Sequence, residues 1–107
     1  ASHVTTWGYS SGGALAALAP ADALLLTFPD FGALANLPED YRVGYKLPKQ
    51  FPETFVQTAT EDEVADRVHI PQAHERDYVS THRVSTPAVA RQRVQDAAEF
   101  LRGELAQ

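Results

Sequence analysis

Val4-Thr5-Thr6-Trp7-Gly8-Tyr9-Ser10-Ser11-Gly12-Gly13-Ala14-Leu15-Ala16-Ala17-Leu18-Ala19 decides how this chain is read. A β-branched, apolar run leads into Gly-x-Ser-x-Gly, and a run of small helix formers leaves it. That order predicts a strand, a sharp turn carrying Ser10, and a helix. Such a turn forces the central serine into a strained backbone geometry that lifts its hydroxyl clear of the sheet. Gly8 and Gly12 are expected to let strand and helix approach closely. The competing reading is a βα turn in which Ser10 or Ser11 only caps the helix.

Working outward, the pattern predicts a strand over 3–9 and a helix over 12–19 stopped by Pro20. A second strand follows over 22–28, where Ala23-Leu24-Leu25-Leu26 is a continuous apolar run. Such a run suits a parallel strand covered on both faces. Short β-α-β connections imply a right-handed crossover. Residues 29–52 carry four prolines and several aromatics without periodicity, and read as a lid-like loop with a short helix near 32–37. A third strand is expected over 54–59, a short helix from the Thr60-Glu61-Asp62-Glu63 region to about 68, and a strand over 77–81. Thr86 and Pro87 begin the last helix, with Ala90, Val94, Ala97, Ala98, Leu101 and Leu105 on one face. The expected fold is a single α/β domain, three-layered, with a mostly parallel sheet built from βα units.

The 107 residues suffice for one domain with a modest core. Residues 1–37 hold only Asp22 and Asp30 as charged side chains, against 12 acidic and 9 basic ones in 38–107. The first third is therefore expected to be largely buried, as a central strand–helix–strand unit. A net charge of −5 argues against nucleic acid and anionic membranes as partners. No apolar run is long enough to span a bilayer and no signal-peptide pattern opens the chain, so a cytoplasmic protein is expected. The absence of cysteine excludes disulfides and thiolate metal sites. A metal site from His69, His74 and Glu75 lacks helical ligand spacing, and no cofactor is expected. Ser10-Ser11-Gly12-Gly13 could also cradle a phosphate, but no Lys or Arg occurs in residues 1–37 and the P-loop pattern is absent.

The stretch His3–Ala16 resembles the nucleophile strand and elbow of α/β-hydrolase fold esterases and lipases. The resemblance implies a catalytic serine, acid and histidine in that chain order. Ser10 is then the nucleophile, and the backbone N–H of Ser11 an oxyanion donor. Phe55–Val64 is similar to the family's acid-bearing turn, which puts the acid at Asp62, with Asp66 and Glu61 as alternatives. The histidine is placed at His82, before the final helix, with His74, His69 and His3 as alternatives. The implied substrate is a small-molecule ester or other activated acyl group.

Family members are generally longer and carry strands before the elbow, one loop of which supplies a second oxyanion donor. The resemblance thus covers the C-terminal half, a truncated α/β-hydrolase-like unit. It implies a homo-oligomer or association with a missing N-terminal segment, because the first strand would otherwise present an open edge. A function of a different class is a non-catalytic α/β module that binds a partner or ligand through the aromatic, Pro-rich segment 28–51. Trp7 and Tyr9 are expected to serve core and elbow packing.

Overall fold

The computed structural model describes residues 3–18, 21–32, 50–65, 70, 72–83 and 86–103. Four strands, β1 (Thr5–Tyr9), β2 (Ala23–Thr27), β3 (Glu53–Ala59) and β4 (His74–Tyr78), form one sheet in the order β1-β2-β3-β4. Every neighbouring pair is parallel. Helix α1 (Ser11–Ala16) links β1 to β2, and α2 (Pro87–Leu101) follows β4. The protein is a small α/β fold.

Side-chain alternation along the central strands divides the core in two. On one face Leu24, Leu26 and Val56 pack with Ala16 of α1, its C-cap Ala17, and Ile70. On the other, Ala23, Leu25 and Phe55 pack against Ala97 and Phe100 of α2. All five residues of β2 are buried, as its unbroken apolar run requires. The two helices therefore cover opposite faces. Parallel pairing sets the C-terminal ends of all four strands along one edge, where Ser10 follows β1.

The two edge strands differ in character. β4 exposes Glu75, Arg76 and Asp77, charges that discourage pairing with a further strand. β1 carries no charge, and Trp7 and Tyr9 are 48% and 43% exposed. The sequence expectation that Trp7 is core packing is corrected here: α2 covers β2 and β3 and leaves this edge open.

Several boundaries also differ from the sequence reading. The fourth strand is His74–Tyr78 rather than 77–81, because its register against β3 pairs Phe55 with His74 and Ala59 with Tyr78. Val79–Thr81 instead form the loop leaving the sheet. Residues 60–65 turn without helix, and the rest of the helix expected to about 68 lies outside the described residues. α1 ends at Ala16, before Pro20 could stop it. α2 starts as expected, with Thr86 Oγ1 accepting from the Val89 N–H at 3.3 Å and Pro87 in its first turn. Its inward face is not the expected one, however. Asp96, Ala97 and Phe100 are buried, while Val94 and Leu101 are exposed. Most of the loop 29–52, its expected short helix, and Leu105 lie outside the described residues.

Candidate active site

The turn from β1 into α1 holds Ser10 at φ 58°, ψ −122°, a conformation L-residues rarely adopt. Three contacts impose it. The Ser10 N–H donates to the Thr27 carbonyl at 3.0 Å, extending the ladder one residue past β1. The Ser10 carbonyl then accepts from the N–H groups of Gly13 at 3.0 Å and Asp30 at 2.9 Å. Sheet, helix and the exit of β2 thus grip the same residue.

Close approach at this turn depends on Gly8 and Gly13. A Cβ on Gly8 would collide with the Gly12 carbonyl and lie 2.7 Å from Gly13 Cα, and one on Gly13 would lie 3.0 Å from the Pro29 ring. A Cβ on Gly12 would meet nothing. The expectation that Gly8 and Gly12 supply the space is corrected to Gly8 and Gly13, since it is Gly12's backbone, not its missing side chain, that fills the gap.

Ser10 makes no side-chain capping bond to α1. Its Oγ lies 2.7 Å from Nε2 of His82, 72 residues away in sequence. Nδ1 of His82 lies 2.8 Å from Oδ2 of Asp62. A carboxylate can only accept, so Nδ1 carries the proton and Nε2 is left to accept from the Ser10 hydroxyl. His82 is 2% exposed, held between β4 and α2 on a loop above the strand ends. Its backbone N–H donates to Glu63 Oε2 at 3.3 Å.

Asp62 is itself oriented by the turn that bears it. Oδ1 accepts from the N–H groups of Val64 at 2.8 Å and Ala65 at 2.7 Å, leaving Oδ2 for the imidazole. Burial works to raise the Asp62 pKa. The hydrogen bonds from Ala65, His82 and Val64 outweigh it, so the group is held below the usual carboxylate value. Asp62 is thereby kept ionised.

The alternatives separate clearly. His74 opens β4 on the opposite edge of the sheet from β1, level by register with Trp7, and lies roughly 13 Å below the last residue of its own strand at ordinary strand rise. His3 precedes β1, at the N-terminal end of that strand. Glu61 donates its N–H to the Ser80 carbonyl and is exposed. Asp66 and His69 lie outside the described residues. Ser11, the expected oxyanion donor, is the first residue of α1 and is exposed beside Ser10. Among the described residues no group of three His, Asp or Glu side chains could hold a metal.

Two aromatic rings border the imidazole that the sequence reading did not assign to the site. The Tyr9 and Phe28 rings lie 5.9 and 6.2 Å from the His82 ring and 5.9 Å from each other. Phe28 adopts φ 46°, a strained value for a bulky residue, with its N–H bonded to the Gln57 carbonyl at 2.7 Å. Its position just past a buried parallel strand was the available signal, since residues at strand C-termini crowd the crevice where α/β sites form.

No protein-family model and no curated protein matches this chain. Among the described residues, no helix is long and apolar enough to cross a membrane.

Proposed function

We propose that this chain is a serine acyl hydrolase of the esterase type, or the triad-bearing part of one, on a truncated α/β-hydrolase-like architecture. The observation that carries the reading is the continuous relay from Ser10 Oγ through His82 to Asp62 at the C-terminal ends of parallel strands. Three residues from separate parts of the chain meet at hydrogen-bond distance, with one of them in a strained turn. Helix capping does not account for that, because the hydroxyl makes no capping bond and bonds His82 instead.

The chemistry follows from the protonation states. His82 Nε2 accepts the Ser10 proton as Oγ attacks the acyl carbonyl. Asp62 holds the ring in that tautomer and stabilises the imidazolium that forms. The tetrahedral oxyanion is met by the Ser11 backbone N–H at the start of α1. Collapse expels the alcohol, which takes its proton from His82, and leaves an acyl-Ser10. Water then attacks with the same base, releasing the acid and restoring the hydroxyl.

The substrate class is a small-molecule ester or activated acyl compound. The uncharged edge of β1, with Trp7 and Tyr9 exposed, supports a working form that associates, either with a second copy or with a further segment. The second reading, a non-catalytic module, is expected from the sequence to bind through 28–51, most of which lies outside the described residues; the exposed β1 edge favours a partner docking at that edge instead.

A fluorophosphonate probe separates the two. The enzyme reading expects one adduct, mapped by mass to the peptide containing Ser10, and none in Ser10→Ala. A folded wild-type chain that stays unlabelled would sink it.

A further inference from the structure

We infer that Tyr9 is a positioning residue for His82, braced by Arg93; the inference rests on the triad reading above. Tyr9 is the last residue of β1 and the immediate neighbour of Ser10. Its hydroxyl donates to the His82 backbone carbonyl at 2.6 Å, across 73 residues of sequence. The strand that carries the nucleophile thus also grips the main chain of the base.

His82 needs such a restraint. It stands on a loop, and among the described residues its backbone N–H has the longer 3.3 Å bond to Glu63. The distances that matter are 2.7 Å to Ser10 and 2.8 Å to Asp62. A shift of about 1 Å in a reacting group is enough to cost on the order of a hundredfold in rate. The hydroxyl of Tyr9 ties the loop down at the residue where such a shift would act.

The ring of Tyr9 is held by Arg93 as well. The Arg93 guanidinium lies over it, 5.7 Å from the ring centre, and over Phe28 at 5.2 Å. Nε of Arg93 is buried without a hydrogen-bond partner. A buried donor left unpaired in favour of two ring faces indicates that stacking sets this side chain's place. α2 is fixed at the same residue, because Gln57 Nε2 donates to the Arg93 carbonyl at 2.8 Å. The order is then core glutamine, helix, guanidinium, Tyr9 ring, His82.

The bond bears on both stability and position. Tyr9 is 43% exposed, but the acceptor belongs to His82, which is 2% exposed, so loss of the hydroxyl leaves a buried carbonyl without this donor. The positioning role is the part that persists in the folded fraction, where it falls on where His82 sits.

The test is Tyr9→Phe, which keeps the ring and removes the hydroxyl. We expect the maximal rate of fluorophosphonate labelling at Ser10 to fall about tenfold or more, with the probe's half-saturation concentration unchanged. The melting temperature should fall but leave the variant folded at the labelling temperature, and in that folded protein the downfield proton resonance of His82 Nδ1–H should shift or broaden. Arg93→Met, which leaves the hydroxyl in place, should lower the rate less, by about threefold. Wild-type rates in both variants would overturn the inference. A rate loss matched by an equal loss of folded protein, with the proton resonance unmoved in the folded fraction, would also overturn it. An unlabelled wild type would instead fail the triad reading itself.

Discussion

Tyr78, the last residue of β4, donates its hydroxyl to Asp96 Oδ2 at 2.7 Å, and this bond ties the inward face of α2 to the sheet beside Ala97 and Phe100. The carboxylate is 1% exposed. Its other oxygen accepts from Gln92 and pairs with Arg76, both at 2.9 Å. Tyr78 also accepts from Gln57, whose side-chain oxygen takes the Thr27 hydroxyl, which in turn accepts from the Trp7 indole. One polar line therefore crosses all four strands and ends in the helix. Every buried polar group along it is satisfied by its neighbour, so the line is cheap to bury only as a whole.

Breaking that line at its charged end should be costly. Asp96→Ala leaves the Tyr78 hydroxyl without its acceptor, while half-exposed Arg76 can return to water. We expect a loss of about 1–3 kcal/mol. Urea unfolding should show it as a lower midpoint with an unchanged slope.

Acid should destabilise the fold through two carboxylates. At Asp96, burial raises the pKa, but the bonds from Tyr78, Gln92 and Arg76 outweigh it and hold the group below 3.8. Asp62 is lowered likewise. A depressed native pKa means that the unfolded chain binds protons more readily, so stability rises with pH in that window. Both contributions are complete above the ordinary value and are lost as pH falls through the native values beneath it. Melting temperatures taken below about pH 4 should therefore drop steeply, and less steeply in Asp62→Asn.

The alkaline limb has the opposite sign. Burial first, then the bond to Asp96, pushes the Tyr78 phenol well above its ordinary 10.0. Its contribution is complete below pH 10 and is lost as pH climbs toward the native value, because only the unfolded chain ionises readily there. Tyr78→Phe should flatten this limb while lowering stability near neutrality, a comparison that thermal melts across pH would make.

Alanine at the two outer glycines of Gly-x-Ser-x-Gly should behave very differently. At Gly8 the new methyl meets the Gly12 carbonyl, which belongs to backbone and cannot swing aside. A cost of about 3 kcal/mol or more is expected, at the upper end for overpacking. At Gly12 the methyl meets nothing and the residue is helical. Stability there should hold or rise by about 0.5–1 kcal/mol. Equal losses at both sites, by denaturant titration, would contradict the packing described.

The two carboxylates beside His82 should also separate in kinetics. Asp62→Asn presents the wrong partner to Nδ1 and is expected to slow labelling of Ser10 by about three to four orders of magnitude. Glu63→Gln touches only the backbone N–H at 3.3 Å and should cost less than about tenfold. Labelling rates for the pair give the comparison directly.

Local chemistry is what the sequence by itself determined. Gly8-Tyr9-Ser10 has to turn sharply because a strand former runs into a helix former with no room for Cβ at Gly8. Ala23–Thr27 has to be a covered strand because its side chains are apolar on both faces. Thr86-Pro87 starts a helix because the hydroxyl and the ring suit its first turn. None of these depends on what lies far away in the chain.

Tertiary structure decided the rest. His74-Glu75-Arg76-Asp77-Tyr78 has no apolar alternation to mark it as a strand, and it is one because β3 offers a free edge at that register. α2 carries two candidate apolar faces, and the one turned inward joins Ala97 and Phe100 to the core while Asp96 bonds Tyr78, a pairing only the assembled sheet offers. The sequence offers four histidines, and none is distinguished by its neighbours alone. The parallel sheet leaves His3 before β1 and His74 at the start of the opposite edge strand, and brings His82 to Ser10 beyond the strand C-termini, because strand direction and register are properties of pairing over long range and not of any short stretch of chain.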